Sequence, residues 1–161
     1  MQRIDIGELR DNILERTQGY RYGWFATINT NKVETPERKI SENDIYTFTN
    51  KQLTELWKRT NRYCFGKSDN RLLIFSAIEI GKESHRLHSH SVVLHQGNVR
   101  RKSKDVGNHI IENSKRIFKL RGEDAYDVQR FNPSLGWETY FLKQTEKMFR
   151  VYGGVVNMEI H

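Results

Sequence analysis

A chain of 161 residues with 27 basic and 20 acidic side chains, a net charge of +7, has room for one domain with a proper core but not for two comfortable ones. A hydrophobic fraction of 36% excludes a disordered chain, and a lone cysteine, Cys64, excludes an internal disulfide framework and fits a reducing compartment. No apolar run approaches a membrane span and Met1 is followed by polar residues, so a soluble, intracellular protein is expected, its basic surplus favouring a polyanionic partner.

Taken in chain order, residues 5–17 place Ile6, Leu9 and Ile13 at helical spacing. "YGWFATINT", residues 22–30, is rich in aromatic and β-branched side chains and predicts a strand. Thr49 is placed to cap a helix carrying Leu53, Leu56, Trp57 and Thr60 on one stripe, with Gln52 at the capping-box position. "RLLIFSAIEI" (71–80) and "RLHSHSVVLH" (86–95) predict two strands, and the short link "GKESH" makes them an antiparallel pair. A basic stretch then leads to a helix from about Val106, with Ile110, Ile111, Ser114, Ile117 and Phe118 on one face. A strand at 125–131, a helix at 134–150 and a closing strand at 154–160 complete the pattern. The order α-β-α-β-β-α-β-α-β predicts an α+β fold, a mainly antiparallel sheet covered by helices, in a single domain spanning 1–161.

The densest chemistry lies in "IEIGKESHRLHSHSVVLH", which holds four of the six histidines. Strand alternation puts His88, His90, Val92 and Leu94 on one face, with Leu87, Ser89, Ser91, Val93 and His95 on the other. Two imidazoles at i and i+2 on one face can share a metal ion, although a bare His-x-His is more often a polar pair on a solvated face. Glu79 shifts that balance. It interrupts an otherwise apolar strand, and pairing through the turn brings it beside the imidazoles. Two imidazoles and a carboxylate leave positions open for substrate oxygens, which points to catalysis with Mn²⁺ or Mg²⁺. His85 and Glu83 in the turn stay undecided.

"YFLK" in the last predicted helix sets Tyr140 and Lys143 on one helical face, and Gln144 points the same way. A phenol with an ordinary pKa of about 10 needs adjacent positive charge to attack as a phenolate, and Lys143 or a bound ion can supply it. "RRKSK" supplies Arg100, Arg101, Lys102 and Lys104, and further cations lie in predicted loops and strand ends. Interleaved with Tyr22, Trp24, Phe25 and Trp137, they suit a groove for single-stranded nucleic acid, by phosphate contact and base stacking. "FGKS" (65–68) looks like the tail of a phosphate-binding loop, but Asn61 stands where that motif needs glycine, and an NTPase is rejected.

Three ordered motifs carry a resemblance. "FATIN" (Phe25 to Asn29, including Thr27), "HSH" (His88 to His90) and Tyr140-x-x-Lys143 resemble the three motifs of the replication-initiator branch of the HUH endonucleases, the rolling-circle nickases of plasmids and small single-stranded DNA viruses. Ser89 departs from the hydrophobic residue usual between the histidines. The resemblance implies a central five-stranded antiparallel sheet, with Glu79, His88 and His90 holding one divalent ion and Tyr140 as nucleophile. It implies that Tyr140 attacks a phosphate in a single-stranded origin, commonly in a hairpin or stem-loop. The products are a 5′-phosphotyrosine and a 3′-hydroxyl that a host polymerase extends with a host helicase. Phe25, Thr27 and Asn29 of the first motif, with Trp24 beside it, are then expected to contact DNA. A plasmid protein of this kind acts in the cytoplasm and a eukaryotic-virus one in the host nucleus; no helicase domain accompanies the motifs in these 161 residues. The nearest alternative is a single-tyrosine transposase, in which Gln144 serves as an additional ligand. From a different class, a non-enzymatic DNA-binding domain would use the histidines for a structural metal.

Overall fold

The computed structural model describes residues 6–32, 42–80, 86–120, 126–135 and 156–159. Among the described residues three helices, α1 (Ile6–Thr17), α2 (Glu42–Phe65) and α3 (Ser103–Phe118), and strands β1 (Tyr22–Lys32), β2 (Leu73–Ile80), β3 (Arg86–His95) and β4 (Tyr126–Arg130) follow the order α1-β1-α2-β2-β3-α3-β4. The fold is α+β: the four strands form an antiparallel sheet in the order β4-β1-β3-β2, flanked by helices. A short segment β5, Val156–Glu159, runs antiparallel along β2. Among the described residues no helix is long and apolar enough to cross a membrane.

Period-two alternation divides the sheet into two unlike faces. One carries Trp24, Ala26 and Ile28 from β1, Ile74, Ser76 and Ile78 from β2, and Leu87 and Val93 from β3, all buried. Helix α2 covers it with Leu53, Leu56 and Trp57, each 0% exposed, and Trp57 Nε1 donates to Ser76 Oγ at 3.2 Å. Ser76 and Ser91 share a hydrogen bond of 2.6 Å, so the indole and both hydroxyls are satisfied inside the core. Helix α3 adds a stripe of Val106, Ile110, Ser114 and Phe118, and the Trp24 indole donates to the Ser103 carbonyl at 3.1 Å. The buried aromatics anchor this layer, since truncating such a ring costs about 3–5 kcal/mol.

The second face is apolar at one end and polar at the other. Phe75, Val92 and Leu94 are buried at the apolar end, where the Arg16 guanidinium of α1 lies 5.8 Å from the Phe75 ring centroid. Phe131 closes on Phe25 with ring centroids 5.3 Å apart. Thr27, Asn29, Glu79, His88 and His90 occupy the other end and are only partly buried.

Two helix starts differ from the sequence reading. Helix α2 begins at Glu42, so Thr49 is not a cap but a fully buried residue inside the helix. Asn31 Nδ2 donates to Thr49 Oγ1 at 2.8 Å and to Gln52 Oε1 at 2.6 Å, and Gln52 Nε2 donates to the Ile117 carbonyl at 3.2 Å. The apparent capping box is therefore a polar tie joining the end of β1 to both helices. Helix α3 starts three residues earlier than expected, and of its predicted face Ile111 and Ile117 are only partly buried. Of the predicted helix at 134–150, Ser134 and Leu135 belong to a 3-10 turn at Pro133–Leu135 and the rest lies outside the described residues.

Gly23 shows how tightly β1 and β3 are drawn together. Its φ is +152°, and a Cβ there would sit 1.9 Å from the Val93 carbonyl oxygen. Gly107 in α3 is the opposite case, since a Cβ would meet Val128 Cγ1 and Trp24 Cδ1 at 3.8 and 4.0 Å. In urea titrations Gly23→Ala should lower the unfolding free energy by at least about 2 kcal/mol, whereas Gly107→Ala should raise it by about 0.5–1 kcal/mol.

Candidate metal centre

Register decides what meets at the polar end of the second face. Glu79 pairs with His88 across β2 and β3, and His88 pairs with Asn29 across β3 and β1, making one cross-strand row. The next row runs Ala77, His90, Thr27 and Asp127. Directly paired residues project to the same side, so two imidazoles, two carboxylates, an amide and a hydroxyl share one side of the sheet. Ala77 opposite His90 is small, which leaves space for the Glu79 side chain to reach diagonally across the strands. Glu79 Oε1 lies 3.1 Å from His90 Nε2. The side chains of His90 and Glu79 are 15% and 26% exposed, open to solvent on one side and desolvated on the other.

The residues behind the imidazoles set their orientation. The His88 Nδ1–H donates to Asn29 Oδ1, leaving Nε2 as the nitrogen with a lone pair. Burial lowers the His88 pKa, with His90 and Arg86 adding to the effect and Glu79 opposing it, so the neutral, ligating form is favoured. Thr27 Oγ1 stands 3.4 Å from His90 Nδ1. A hydroxyl both donates and accepts, so it satisfies His90 whether the ring proton is on Nδ1 or on Nε2 facing Glu79. Outer partners of this kind orient ligating imidazoles in metal sites.

Among the described residues no three His, Cys, Asp or Glu side chains already stand as a metal-holding cluster. Two of the donors nonetheless suit one ion. A 3.1 Å separation between Glu79 Oε1 and His90 Nε2 matches neighbouring ligands that each sit about 2.0–2.2 Å from a shared cation. The mixed imidazole and carboxylate donor set is of the borderline kind that Mn²⁺ accepts.

The remaining sequence candidates are dispersed. Tyr140, Lys143 and Gln144 lie outside the described residues, as do Glu83, His85 and Trp137. Trp24 is 3% exposed with its indole bonded to Ser103, so it is a core residue and offers no ring to a base, a correction to its expected DNA contact. Phe25 is partly buried against Phe131. Thr27 and Asn29 contact the imidazoles, a role that the first-motif reading did not assign them. Arg100, Arg101, Lys102 and Lys104 are exposed beyond His95, about 23 Å of strand away from His88. Arg101 is also engaged, its Nε donating to the Tyr63 carbonyl at 2.6 Å with the guanidinium 4.0 Å from the Tyr63 ring centroid. His95 stacks on Tyr22 and packs against Trp24, centroids 5.5 and 5.3 Å apart, at that far end of the sheet. Asp127, unremarked in the sequence, becomes visible only through its register with Thr27.

No family model, curated protein or solved structure matches the chain.

Ser89 sits between the two histidines but faces the core, 0% exposed, and its hydroxyl has no hydrogen-bond partner among the described residues. An unsatisfied buried hydroxyl costs about 1–3 kcal/mol, so Ser89→Ala should be neutral or stabilising by up to about 1 kcal/mol in a urea titration. Because the side chain points away from the imidazoles, Mn²⁺ affinity measured by calorimetry should stay within twofold of wild type.

Proposed function

We propose that the chain is an HUH-type nicking and joining enzyme that acts on single-stranded DNA through a tyrosine, in the manner of rolling-circle replication initiators. The observation that carries this reading is the register that puts Glu79, His88 and His90 on one partly exposed patch of the sheet, with Glu79 in contact with His90 and with Asn29 and Thr27 beside the imidazoles. The antiparallel sheet flanked by helices is compatible with the five-stranded architecture that the reading requires. The order of the motifs, with Tyr140 and Lys143 following the histidines, supports it from the sequence.

In this reading Glu79, His88 and His90 hold one Mn²⁺ or Mg²⁺. The bound ion would act as a Lewis acid on a non-bridging oxygen of the scissile phosphate. Asn29 and Thr27 keep the imidazoles aimed, so that little reorganisation is needed when substrate arrives. Tyr140 loses its proton and its phenolate oxygen bonds to phosphorus. The bond from phosphorus to the 3′ oxygen breaks, and that oxygen leaves as a hydroxyl after taking up a proton. Lys143 offsets charge on the phosphoryl oxygens. The phosphotyrosine conserves the bond energy, and attack by a 3′-hydroxyl reverses the step and rejoins the strand.

A transposase using Gln144 as a ligand stays second, because Glu79 already supplies an oxygen donor within reach of His90. End-labelled single-stranded DNA containing the cognate origin, incubated with Mn²⁺, separates the readings. Wild type should yield a covalent adduct mapped to Tyr140, and Tyr140→Phe should reduce adduct formation by at least 10³-fold. Glu79→Ala should lose cleavage by at least 10²-fold while Gln144→Ala retains it; the reverse pattern would favour the transposase. Equal adduct yields from wild type and Tyr140→Phe would overturn the nucleophile.

A further inference from the structure

The turn after α2 forms a second concavity, at the opposite end of β2 from Glu79. It is a cleft of about 470 Å³ walled by Lys58 and Arg62 from α2, Lys67 and Ser68 from the turn, and Arg71 at the entry to β2. No carboxylate lines it. Two cations elsewhere on the helices are paired with acids, Arg59 with Glu55 at 2.8 Å and Lys115 with Glu112 at 3.5 Å. Glu55, the acid on α2 nearest in sequence, bonds Arg59, which lowers its pKa, while Lys58 and Arg62 act on it only through their fields. Asp69 is exposed in the same turn but does not line the cleft.

The walls are built rather than incidental. Gly66, at φ +63°, ends the helix, its N–H bonded to the Arg62 carbonyl at 2.7 Å. Asn61 is 6% exposed, and its Oδ1 accepts the Leu72 N–H at 2.8 Å, pinning the far end of the turn to α2. Arg71 Nη1 donates to the Ser68 and Asn70 carbonyls at 3.0 and 2.9 Å, which fixes one guanidinium in the wall. Cations complement the negative end of a helix dipole, and this accounts for Arg62. It does not account for Lys58, about two turns before the helix end, or for Lys67 and Arg71 beyond the helix. Arg101 bonds the carbonyl of Tyr63, the residue after Arg62, and its neighbours Arg100, Lys102 and Lys104 are exposed. Four cations lining one cleft with no acid among them complement several phosphates of a chain better than a single one.

We infer that this cleft binds the phosphodiester backbone of a nucleic acid, as a docking site separate from the candidate metal centre. The two lie about 20 Å apart along β2, from Leu73 to Glu79. The inference does not depend on nuclease chemistry, because it rests on the cleft alone. Arg62, Lys58 and Lys67 are exposed, so their removal spares the core, whereas Arg71 helps hold the turn and is left intact.

The test is fluorescence anisotropy with the full chain and a labelled 30-nucleotide single strand, in EDTA so that no divalent ion contributes, across a salt series. Each phosphate contact to a single strand contributes about 0.7 to the slope of log affinity against log salt. The Lys58→Ala, Arg62→Ala, Lys67→Ala triple variant should therefore flatten the slope by about 2 and weaken binding at least tenfold at low salt. A control triple, Arg10→Ala, Lys51→Ala, Arg116→Ala, removes three exposed cations elsewhere and should change the slope by less than 1. Equal effects of the two triples would mean diffuse attraction and overturn the site, as would an unchanged slope. Displacement of the DNA by micromolar inorganic phosphate would assign the cleft to a small anion and also overturn it. Should the triple variant melt early by circular dichroism, Lys67→Glu in the exposed turn is the substitute, with at least fivefold weaker binding expected and unchanged binding contradicting the site.

Discussion

The alignment of β1, β3 and β2 is the constraint on which the candidate centre depends. Asn29, His88 and Glu79 form one row, and Thr27, His90 and Ala77 form the next, because three strands keep an unbroken antiparallel register over this stretch. Side chains alternate with a period of two, so a slip of one residue would send both histidines into the core and bring Leu87, Ser89 and Ser91 to the surface. The core side of the sheet forbids that slip. Leu87 is fully buried, Ser91 is bonded to Ser76, and Ser76 is bonded to Trp57 of α2. Packing on one face thus fixes the chemistry of the other, and the apolar layer between sheet and helices is what keeps the imidazoles beside the carboxylate.

Charge is distributed unevenly over the two ends of the sheet. The polar patch around Glu79 gathers groups suited to a cation, an acid and two imidazoles partly withdrawn from water, with burial favouring the neutral form of His88. The opposite end of the sheet gathers cations around the turn after α2 and at the start of α3, suited to an anion. Both ends are reached by the same strands, β2 and β3, which run the length of the sheet between them. In the proposed reading one nucleic-acid strand would touch both, held by salt-sensitive contacts at one end and presented to the metal centre at the other. That division follows from strand direction, since the residues that leave β3 at His95 emerge at the far end from those that enter near His88.

Much of this was legible in the sequence because strands announce themselves locally. The runs 71–80 and 86–95 are apolar and β-branched with a short polar link, and alternation alone separated His88 and His90 from His95. The stripe Leu53, Leu56, Trp57 and Thr60 likewise fixed the buried side of α2. Pairwise features were not legible. Thr49 and Gln52 spell a capping box, yet their hydrogen bonds run to Asn31 and Ile117, more than 17 positions away, and the helix continues back to Glu42. Trp24 looked like a stacking platform because aromatic residues beside basic ones suggest one; only the position of α3 shows that its indole is spent on Ser103. The orienting parts played by Asn29 and Thr27, and the placing of Asp127 beside Thr27, required the register of three strands and could not be read from one.

The central claim is that His88 and His90 bind one ion together, and pulsed electron paramagnetic resonance of the Mn²⁺-loaded protein addresses it without recourse to cleavage. The account predicts hyperfine coupling to two imidazole nitrogens in wild type, falling to one in His88→Ala and in His90→Ala. A Mn²⁺ signal with no nitrogen coupling, or one that neither substitution changes, would contradict it.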